Sequence, residues 1–315
     1  MVAIDQHDTY SVRVISRSHL SKDIVQVELE ESSQRPLPDY EPGSHVDIYV
    51  QDDLVRQYSL VKASDAQASY QIAFKVKRDQ GSATELMCEL LRVGATTRIS
   101  APRNAFALDP QARETVLICG GIGITPMVHM AMTLVKAKRP WSMHIASRDG
   151  DELDLLGPLG SCSEISRYIS SQGDRLPIRD LAERAPANAH LYFCGPEGML
   201  QEFLAATQHR DPATVHYEQF QAAPSTGNEF TVNLARSGAQ YVVREGETIL
   251  DVLRNAGHHV TSSCRQGICG MCETTLISGV PDHRDRLLTD SEKASGRTML
   301  ICCSRALSPE LTLDL

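Results

Sequence analysis

The sequence contains no run of about 18 apolar residues, which a membrane-spanning helix would need. Its N-terminus lacks the basic, then apolar, then small-residue order of a signal peptide. It also lacks a basic surplus, because 40 acidic residues outnumber 31 basic ones and leave a net charge of −9. A surface of that sign disfavours non-specific binding to nucleic acid. These absences predict a cytoplasmic protein with no membrane segment and no nucleic-acid partner.

A chain of 315 residues is longer than a domain with one hydrophobic core usually is. The pattern of apolar residues changes along the chain and predicts three domains. Over 1–107, short alternating strands predict an antiparallel β-barrel, interrupted by one helix at 82–94. Over 108–222, apolar strands alternate with helices, which predicts a parallel α/β sheet. A polar linker at 223–229 leads to an α+β domain at 230–315.

Nine cysteines are many for a protein of a reducing compartment, and four of them are regularly spaced. Cys264, Cys269, Cys272 and Cys302 stand as C-x4-C-x2-C-x29-C. The first three match the spacing with which plant-type ferredoxins hold a [2Fe–2S] cluster on thiolates. Glycines between them permit close approach of the backbone to a cluster. A structural zinc site is the alternative, although zinc sites usually present two paired half-sites; ordinary buried thiols are another.

A glycine-rich turn, GGIGITP, follows an apolar strand at 115–120 and precedes a helix predicted over 125–138. Thr125 is the expected cap of this helix and Pro126 its first residue. The free N–H groups and the positive dipole end of such a helix suit a pyrophosphate. The alternative is a structural turn between a strand and a helix, with no ligand.

Two further groups stand where predicted strands of the same sheet end. Cys194, in the tripeptide Cys-Gly-Pro, ends one strand, and Ser147 with Arg148 ends the strand that follows the helix. The carboxyl ends of parallel strands meet at one edge of a sheet, so these residues are expected to face the crevice beside the glycine turn. Arg148 would then lie near a ribose, or else is a solvated surface charge.

Five short sequences occur in a fixed order over nearly the whole chain: RQYSL, GGIGITPM, CGPEGM, HYEQF and CRQGICGMC. In this combination the chain resembles the phthalate dioxygenase reductase family, which includes vanillate O-demethylase reductase subunits. The resemblance implies an FMN-binding barrel, an NAD-binding domain and a C-terminal plant-type ferredoxin domain. The cofactors it implies are FMN, NADH and a [2Fe–2S] cluster.

The resemblance also implies which residues hold each group. Those expected at the flavin and its phosphate are Arg56, Tyr58, Ser59, Gly81, Ser82 and Thr84. Those expected at the dinucleotide are Gly120, Gly121, Gly123, Thr125, Cys194 and Gly195. Glu218 and Phe220 are expected near the flavin ring, with Cys194 approaching the nicotinamide. The family commonly has a longer Arg-Gly-Gly-Ser loop where this chain has residues 77–85, so individual phosphate contacts are not assigned.

A nicotinamide gives two electrons as hydride, a [2Fe–2S] cluster accepts one at a time, and a flavin can do both. The resemblance therefore implies a reductase that takes hydride from NADH and passes single electrons to a terminal oxygenase, a Rieske non-haem iron enzyme. Arg148 could pair with a 2′-phosphate, which would favour NADPH, but Asp149 beside it would repel that phosphate and the resemblance implies NADH, so NADH is expected. No acid or base is assigned. The alternatives are a non-enzymatic iron–sulfur carrier or redox sensor, and a self-contained enzyme that reduces a small substrate.

Cys302, and not its neighbour Cys303, is the predicted fourth cluster ligand. Cys302 gives the x29 spacing, and adjacent residues on an extended segment point to opposite sides. Cys302→Ala should therefore abolish the absorbance of the cluster and leave flavin reduction by NADH intact, whereas Cys303→Ala should keep both. Loss of the cluster in Cys303→Ala but not in Cys302→Ala would show that the assignment is reversed.

Overall fold

The computed structural model describes residues 9–33, 35–51, 54–63, 69–76, 83–220, 225–262, 265, 267, 270–285 and 287–315. The chain divides into two compact units, Met1–Val50 with Gln57–Phe220 and Gln51–Arg56 with Gln221–Leu315. Among the helices of these described ranges, none combines the length and the apolar character needed to cross a membrane.

Six antiparallel strands form a closed barrel in the order β1-β2-β5-β4-β3-β6. They are β1 Thr9–His19, β2 Ile24–Glu31, β3 His45–Gln51, β4 Leu54–Ala63, β5 Ser69–Lys75 and β6 Thr96–Ser100. The barrel closes because β1 pairs with both β2 and β6. Alternate side chains such as Val12 and Val14 are buried, as the two-residue period of a strand requires. The predicted helix at 82–94 is present as the shorter α1, Ala83–Leu90.

Five parallel strands follow, in the order β11-β10-β7-β8-β9. They are β7 Thr115–Gly120, β8 Trp141–Ser147, β9 Ile165–Ile169, β10 His190–Cys194 and β11 Val215–Glu218. The connecting helices are α2 Ile124–Lys136, α3 Ile178–Arg184 and α4 Glu197–Thr207, with short 3-10 helices at Gly121–Gly123 and Asp151–Ser161. Parallel sheets are covered on both faces, and every residue of β7 is buried.

The two faces of this sheet belong to different cores. Leu117 and Cys119 of β7 pack with α2 and with the barrel residues Val61 and Ala73. The alternate residues of β7, Val116 and Ile118, pack in a second core with α3 and α4. Barrel and parallel sheet therefore share one hydrophobic core within the first unit.

The second unit is an α+β fold built on a five-stranded mixed sheet in the order β13-β12-β18-β14-β16, with a separate two-stranded sheet, β15-β17. The strands are β12 Phe230–Leu234, β13 Gln240–Val243, β14 Glu273–Ser278, β15 Pro281–Asp282, β16 Thr298–Leu300, β17 Arg305–Ala306 and β18 Glu310–Leu313. The helices are α5 Ile249–Asn255 and α6 Asp290–Ser295. Thr248 caps α5, because its side chain accepts a hydrogen bond from the backbone N–H of Asp251.

Among the residues that the structure describes, Arg305 is the largest fully buried side chain, with 1% of its surface exposed. Its Nη1 donates to Ser225 Oγ and to the Glu247 carbonyl, each at 2.7 Å, and its Nη2 donates to the Asn228 carbonyl at 2.9 Å. The guanidinium also lies 5.0 Å from the ring centroid of Phe230. One planar cation thus binds acceptors of two separate backbone segments, residues 225–228 and 244–247, which no shorter donor would reach together.

Arg305→Met should lower the free energy of unfolding of the second unit by about 3 kcal/mol or more, because several buried carbonyls lose their donor. Calorimetric unfolding of the full chain, with hydrogen exchange to assign the transition, measures this. Arg236→Met is the matched control, since Arg236 makes a bidentate but exposed ion pair with Asp314. Equal shifts in the two variants would mean that the buried hydrogen bonds contribute nothing beyond a surface pair.

Candidate nucleotide and cluster sites

The glycine turn is a single 3-10 turn, Gly121–Gly123, that runs directly into α2. The predicted helix start is wrong by two residues, because α2 begins at Ile124, not Pro126, and its cap position is Gly123, not Thr125. Thr125 lies inside the helix, and its hydroxyl donates to the Ile122 carbonyl at 3.0 Å instead of accepting from a backbone N–H. The preceding 3-10 turn explains the difference, since it brings the chain into helical geometry earlier than a Thr cap would.

Two glycines of this turn are required by contact with the neighbouring strand end. A Cβ on Gly123 would lie 2.2 Å from the carbonyl oxygen of Cys194. A Cβ on Gly120 would lie 2.7 Å from the Cδ of Pro196. From the other side, a Cβ on Gly195 would lie 3.0 Å from the backbone nitrogen of Gly120. The glycine turn and the Cys-Gly-Pro turn therefore pack backbone against backbone.

Gly121 differs from these glycines. Its φ of +55° lies in the left-handed region, which side chains disfavour. The nearest atom to a Cβ there would be Glu152 Oε1, at 3.6 Å. Gly121 is thus the residue of the turn whose lack of a side chain leaves space beside the backbone, as close approach of a dinucleotide would need.

Three polar groups stand side by side on consecutive strands at the carboxyl edge of the sheet. Cys194 of β10 is in register with Cys119 of β7 and with Glu218 of β11. Burial raises the pKa of the Cys194 thiol well above its usual value, and the neighbouring Glu218 raises it further. Burial also raises the pKa of Glu218 to about 8. Both groups are therefore mostly uncharged at neutral pH.

Glu218 has an unsatisfied oxygen. Only 9% of the residue is exposed, and its Oε2 has no hydrogen-bond partner among the residues that the structure describes. A buried acceptor without a partner is costly unless a ligand or water supplies a donor. The sequence motif HYEQF identified Glu218 and Phe220 together; Phe220, two residues past it, is 40% exposed.

Ser147 and Arg148 end β8 as predicted, and their side chains have different surroundings. Ser147 is buried; its hydroxyl donates to Glu152 Oε2 at 2.5 Å and accepts from the backbone N–H of Gly150 at 2.9 Å. Arg148 is exposed. Glu152 was not identified from the sequence, because four acidic residues follow β8 and no pattern separates it from the others.

The residues predicted at the flavin lie on the barrel where the structure describes them. Ser59 of β4 is buried, and the ring of Tyr58 lies 5.6 Å from that of Phe74. Arg56 is on the same strand. Gly81 and Ser82 lie outside the described residues, and Thr84 is in α1 with no side-chain position described. Their proposed contacts with the flavin phosphate stay predictions.

Two of the four predicted cluster ligands are described, and both are buried. Cys272 and Cys302 are each 2% exposed. The thiols of Cys272 and Cys303 both face that of Cys302 and raise its pKa far above the usual value. Sulfur atoms converging in a buried position suit a cluster, whose irons would replace the competing protons. Cys264 and Cys269 lie outside the described residues.

The geometric reason given for choosing Cys302 over Cys303 is wrong. β16 ends at Leu300, and the two cysteines follow in a turn closed by the Ser304 N–H on the Leu300 carbonyl at 3.0 Å. They do not alternate across a strand, and Cys303 also points toward the cluster loop, with its Sγ 2.5 Å from where a Cβ on Gly267 would lie. Full burial favours Cys302 over the half-buried Cys303, and the ligand assignment stays a prediction.

Comparison with known families finds two domain matches that agree with this geometry. The family model for 2Fe-2S iron-sulfur cluster binding domains matches residues 232–307, around the cysteine loop. The family model for oxidoreductase FAD-binding domains matches residues 11–108, the barrel. The parallel sheet, with its glycine turn, lies between the two.

Full-length relatives cover the whole arrangement. The chain is 40% identical over 310 residues, 97% of each chain, to the phenoxybenzoate dioxygenase subunit beta of Ectopseudomonas oleovorans. It is 35% identical to the carnitine monooxygenase reductase subunit of Escherichia coli (strain K12), over 99% of this chain and all of that one. A solved phthalate dioxygenase reductase, described as a modular structure for electron transfer from pyridine nucleotides to [2Fe–2S], superposes with a TM-score of 0.73, at 34% identity and 98% coverage of both chains. With barrel, parallel sheet and cysteine loop matched end to end, the chain belongs to the phthalate dioxygenase reductase family.

Proposed function

We propose that this protein is the reductase component of a two-component oxygenase, with a Rieske non-haem iron enzyme as its electron acceptor. The observation that carries the proposal is the full-length match to an electron-transfer reductase, in which a glycine turn and a cysteine loop occur on one chain. The relatives include both dioxygenase and monooxygenase components. The acceptor is therefore proposed as a class of enzyme, with no substrate assigned.

We propose the domain limits 1–107 for FMN, 108–222 for NADH, 223–229 as a linker and 230–315 for the [2Fe–2S] cluster. Bound FMN would supply the chemistry that links two-electron hydride transfer to single-electron transfer. Arg56, Tyr58 and Ser59 would hold the flavin, and Gly121 with the start of α2 would hold the pyrophosphate. Cys272 and Cys302 would join Cys264 and Cys269 around the cluster.

At the nicotinamide, the protein would contribute two uncharged side chains that are held in place at the carboxyl edge of the sheet. Cys194 and Glu218 stand in register, and the raised pKa of each keeps it neutral at pH 7. Hydride transfer moves no proton to a side chain, so neutral neighbours that only pack and orient are sufficient. The unsatisfied Oε2 of Glu218, on a protonated carboxyl group, offers a hydrogen-bonding atom to whatever binds beside it.

NADH is proposed over NADPH. The Ser147 hydroxyl is fully used by Glu152 and Gly150, so it has no second donor for a phosphate. Arg148 is an exposed cation at this strand end, and the exposed Asp149 beside it opposes a 2′-phosphate.

Anaerobic addition of NADH to the purified protein should bleach first the flavin and then the cluster absorbance, because electrons must reach the cluster through the flavin. The flavin released on denaturation should chromatograph as FMN, and kcat/KM should be higher for NADH than for NADPH. A cluster that NADH leaves oxidised would indicate a carrier or sensor. A stoichiometric FAD peak would contradict the cofactor assignment.

The free energy of unfolding should fall as pH rises from about 4.5 to about 8, the ordinary and the folded pKa of Glu218. The folded state holds the Glu218 proton more tightly, so its stabilising effect is complete below pH 4.5 and lost as pH passes 8. Glu218→Gln should remove this part of the pH dependence. Glu183→Gln, at an exposed position of α3, is the control and should leave the pH profile unchanged.

A further inference from the structure

A buried carboxylate lies beside the glycine turn without belonging to the family motifs. Glu152 is 3% exposed. Its Oε2 accepts from Ser147 Oγ at 2.5 Å, and its Oε1 is 3.3 Å from the ammonium of Lys75. The same Oε1 is the nearest atom to the open side of Gly121, at 3.6 Å from a Cβ placed there. A negative charge therefore stands where the backbone is open to a ligand.

The cation that neutralises Glu152 comes from the other domain of the first unit. Lys75 ends strand β5 of the barrel, which packs against the 3-10 turn of residues 121–123. Its side chain is 45% exposed although the carboxylate it meets is buried. A lysine ammonium on a flexible stem can exchange one anionic partner for another at small cost, unlike a buried guanidinium held by several acceptors.

A pyrophosphate at Gly121 would come close to the Glu152 carboxylate, and like charges in a partly buried site repel strongly. The turn therefore needs a cation that reaches both anions. Lys75 is placed for this, since its ammonium already contacts the oxygen of Glu152 that faces Gly121.

We infer that Lys75 is a dinucleotide-binding residue, whose ammonium binds the pyrophosphate of NADH, and that Glu152 weakens this binding by competing for the same ammonium. The inference rests on the proposed function, because it takes the glycine turn as the dinucleotide site. It gives the barrel a direct part in holding the nucleotide, in addition to holding the flavin.

The competing explanation is that the ion pair is only a structural bridge between barrel and sheet. The two explanations predict opposite effects of removing the Glu152 charge on dinucleotide binding. If the ion pair only joins the domains, removing either partner should loosen the site in the same direction. If Lys75 binds the pyrophosphate, Lys75→Met should weaken binding, whereas Glu152→Gln should strengthen it by removing both a competitor and a repelling charge.

The test is calorimetric titration of the holoprotein with NAD⁺, which binds without turnover. Lys75→Met should raise the Kd for NAD⁺ about tenfold, Glu152→Gln should lower it about threefold, and Lys75→Arg should retain most of the affinity. Lys136→Met, at the exposed far end of α2, is the matched control and should change the Kd less than twofold. Thermal unfolding of each variant reports whether its fold is intact.

Equal weakening in Lys75→Met and Glu152→Gln, or a Kd unchanged in Lys75→Met, would overturn the inference. Should Glu152→Gln unfold, Lys75→Met still decides: loss of NAD⁺ affinity with an unchanged unfolding temperature indicates a phosphate contact, whereas loss of affinity together with a lower unfolding temperature indicates a structural bridge and overturns the inference. Failure of the wild-type protein to bind NAD⁺ would overturn the proposed function as well. Wild-type binding with unresponsive variants would overturn the inference only.

Discussion

The contact between the glycine turn and the Cys-Gly-Pro turn fixes the geometry at the carboxyl edge of the parallel sheet. Gly123 has no space for a side chain because the carbonyl of Cys194 fills it, and Gly195 is similarly close to Gly120. This contact holds the ends of β7 and β10 together and sets where α2 begins. The positions of Gly121, Cys194 and Glu218 relative to one another follow from it, because all three lie on or next to the joined strand ends. The glycines of the family motif are thus required first by packing, and only Gly121 is left open to a ligand.

Charge is distributed unevenly along this edge. Cys194 and Glu218 are neutral at pH 7 because burial disfavours their ionised forms. In the 3-10 helix that follows β8, Glu152 is also buried, but a hydroxyl and an ammonium satisfy its oxygens. Two buried glutamates near one sheet edge thus differ because of their neighbours: Glu218 is neutral, and Glu152 is paired with a cation.

Much of the fold could be predicted from local pattern. Alternation predicted the antiparallel barrel, apart from strand β6, and the strand–glycine–helix order predicted β7 and α2. The sequence did not reveal β9, whose residues are mostly half-buried, or the 3-10 helix interrupted at Gly157. Lys75 and Glu152 were missed because their contact joins residues 77 positions apart, which no spacing rule detects. Cys302 and Cys303 were assigned to a strand because their apolar neighbours favour one, whereas the chain turns at Leu300 to bring both sulfurs inward.

The hydrogen bonds of Arg305 also bear on how the protein can be divided. Its guanidinium binds the hydroxyl of Ser225 and the carbonyl of Asn228, and both residues precede the first strand of the second unit. These residues look like connecting chain in the sequence, yet they complete the coordination of a buried cation. A fragment cut immediately before Phe230 would leave that cation short of acceptors. An isolated iron–sulfur fragment intended for spectroscopy, or for fusion to another oxygenase, should therefore begin upstream of Ser225.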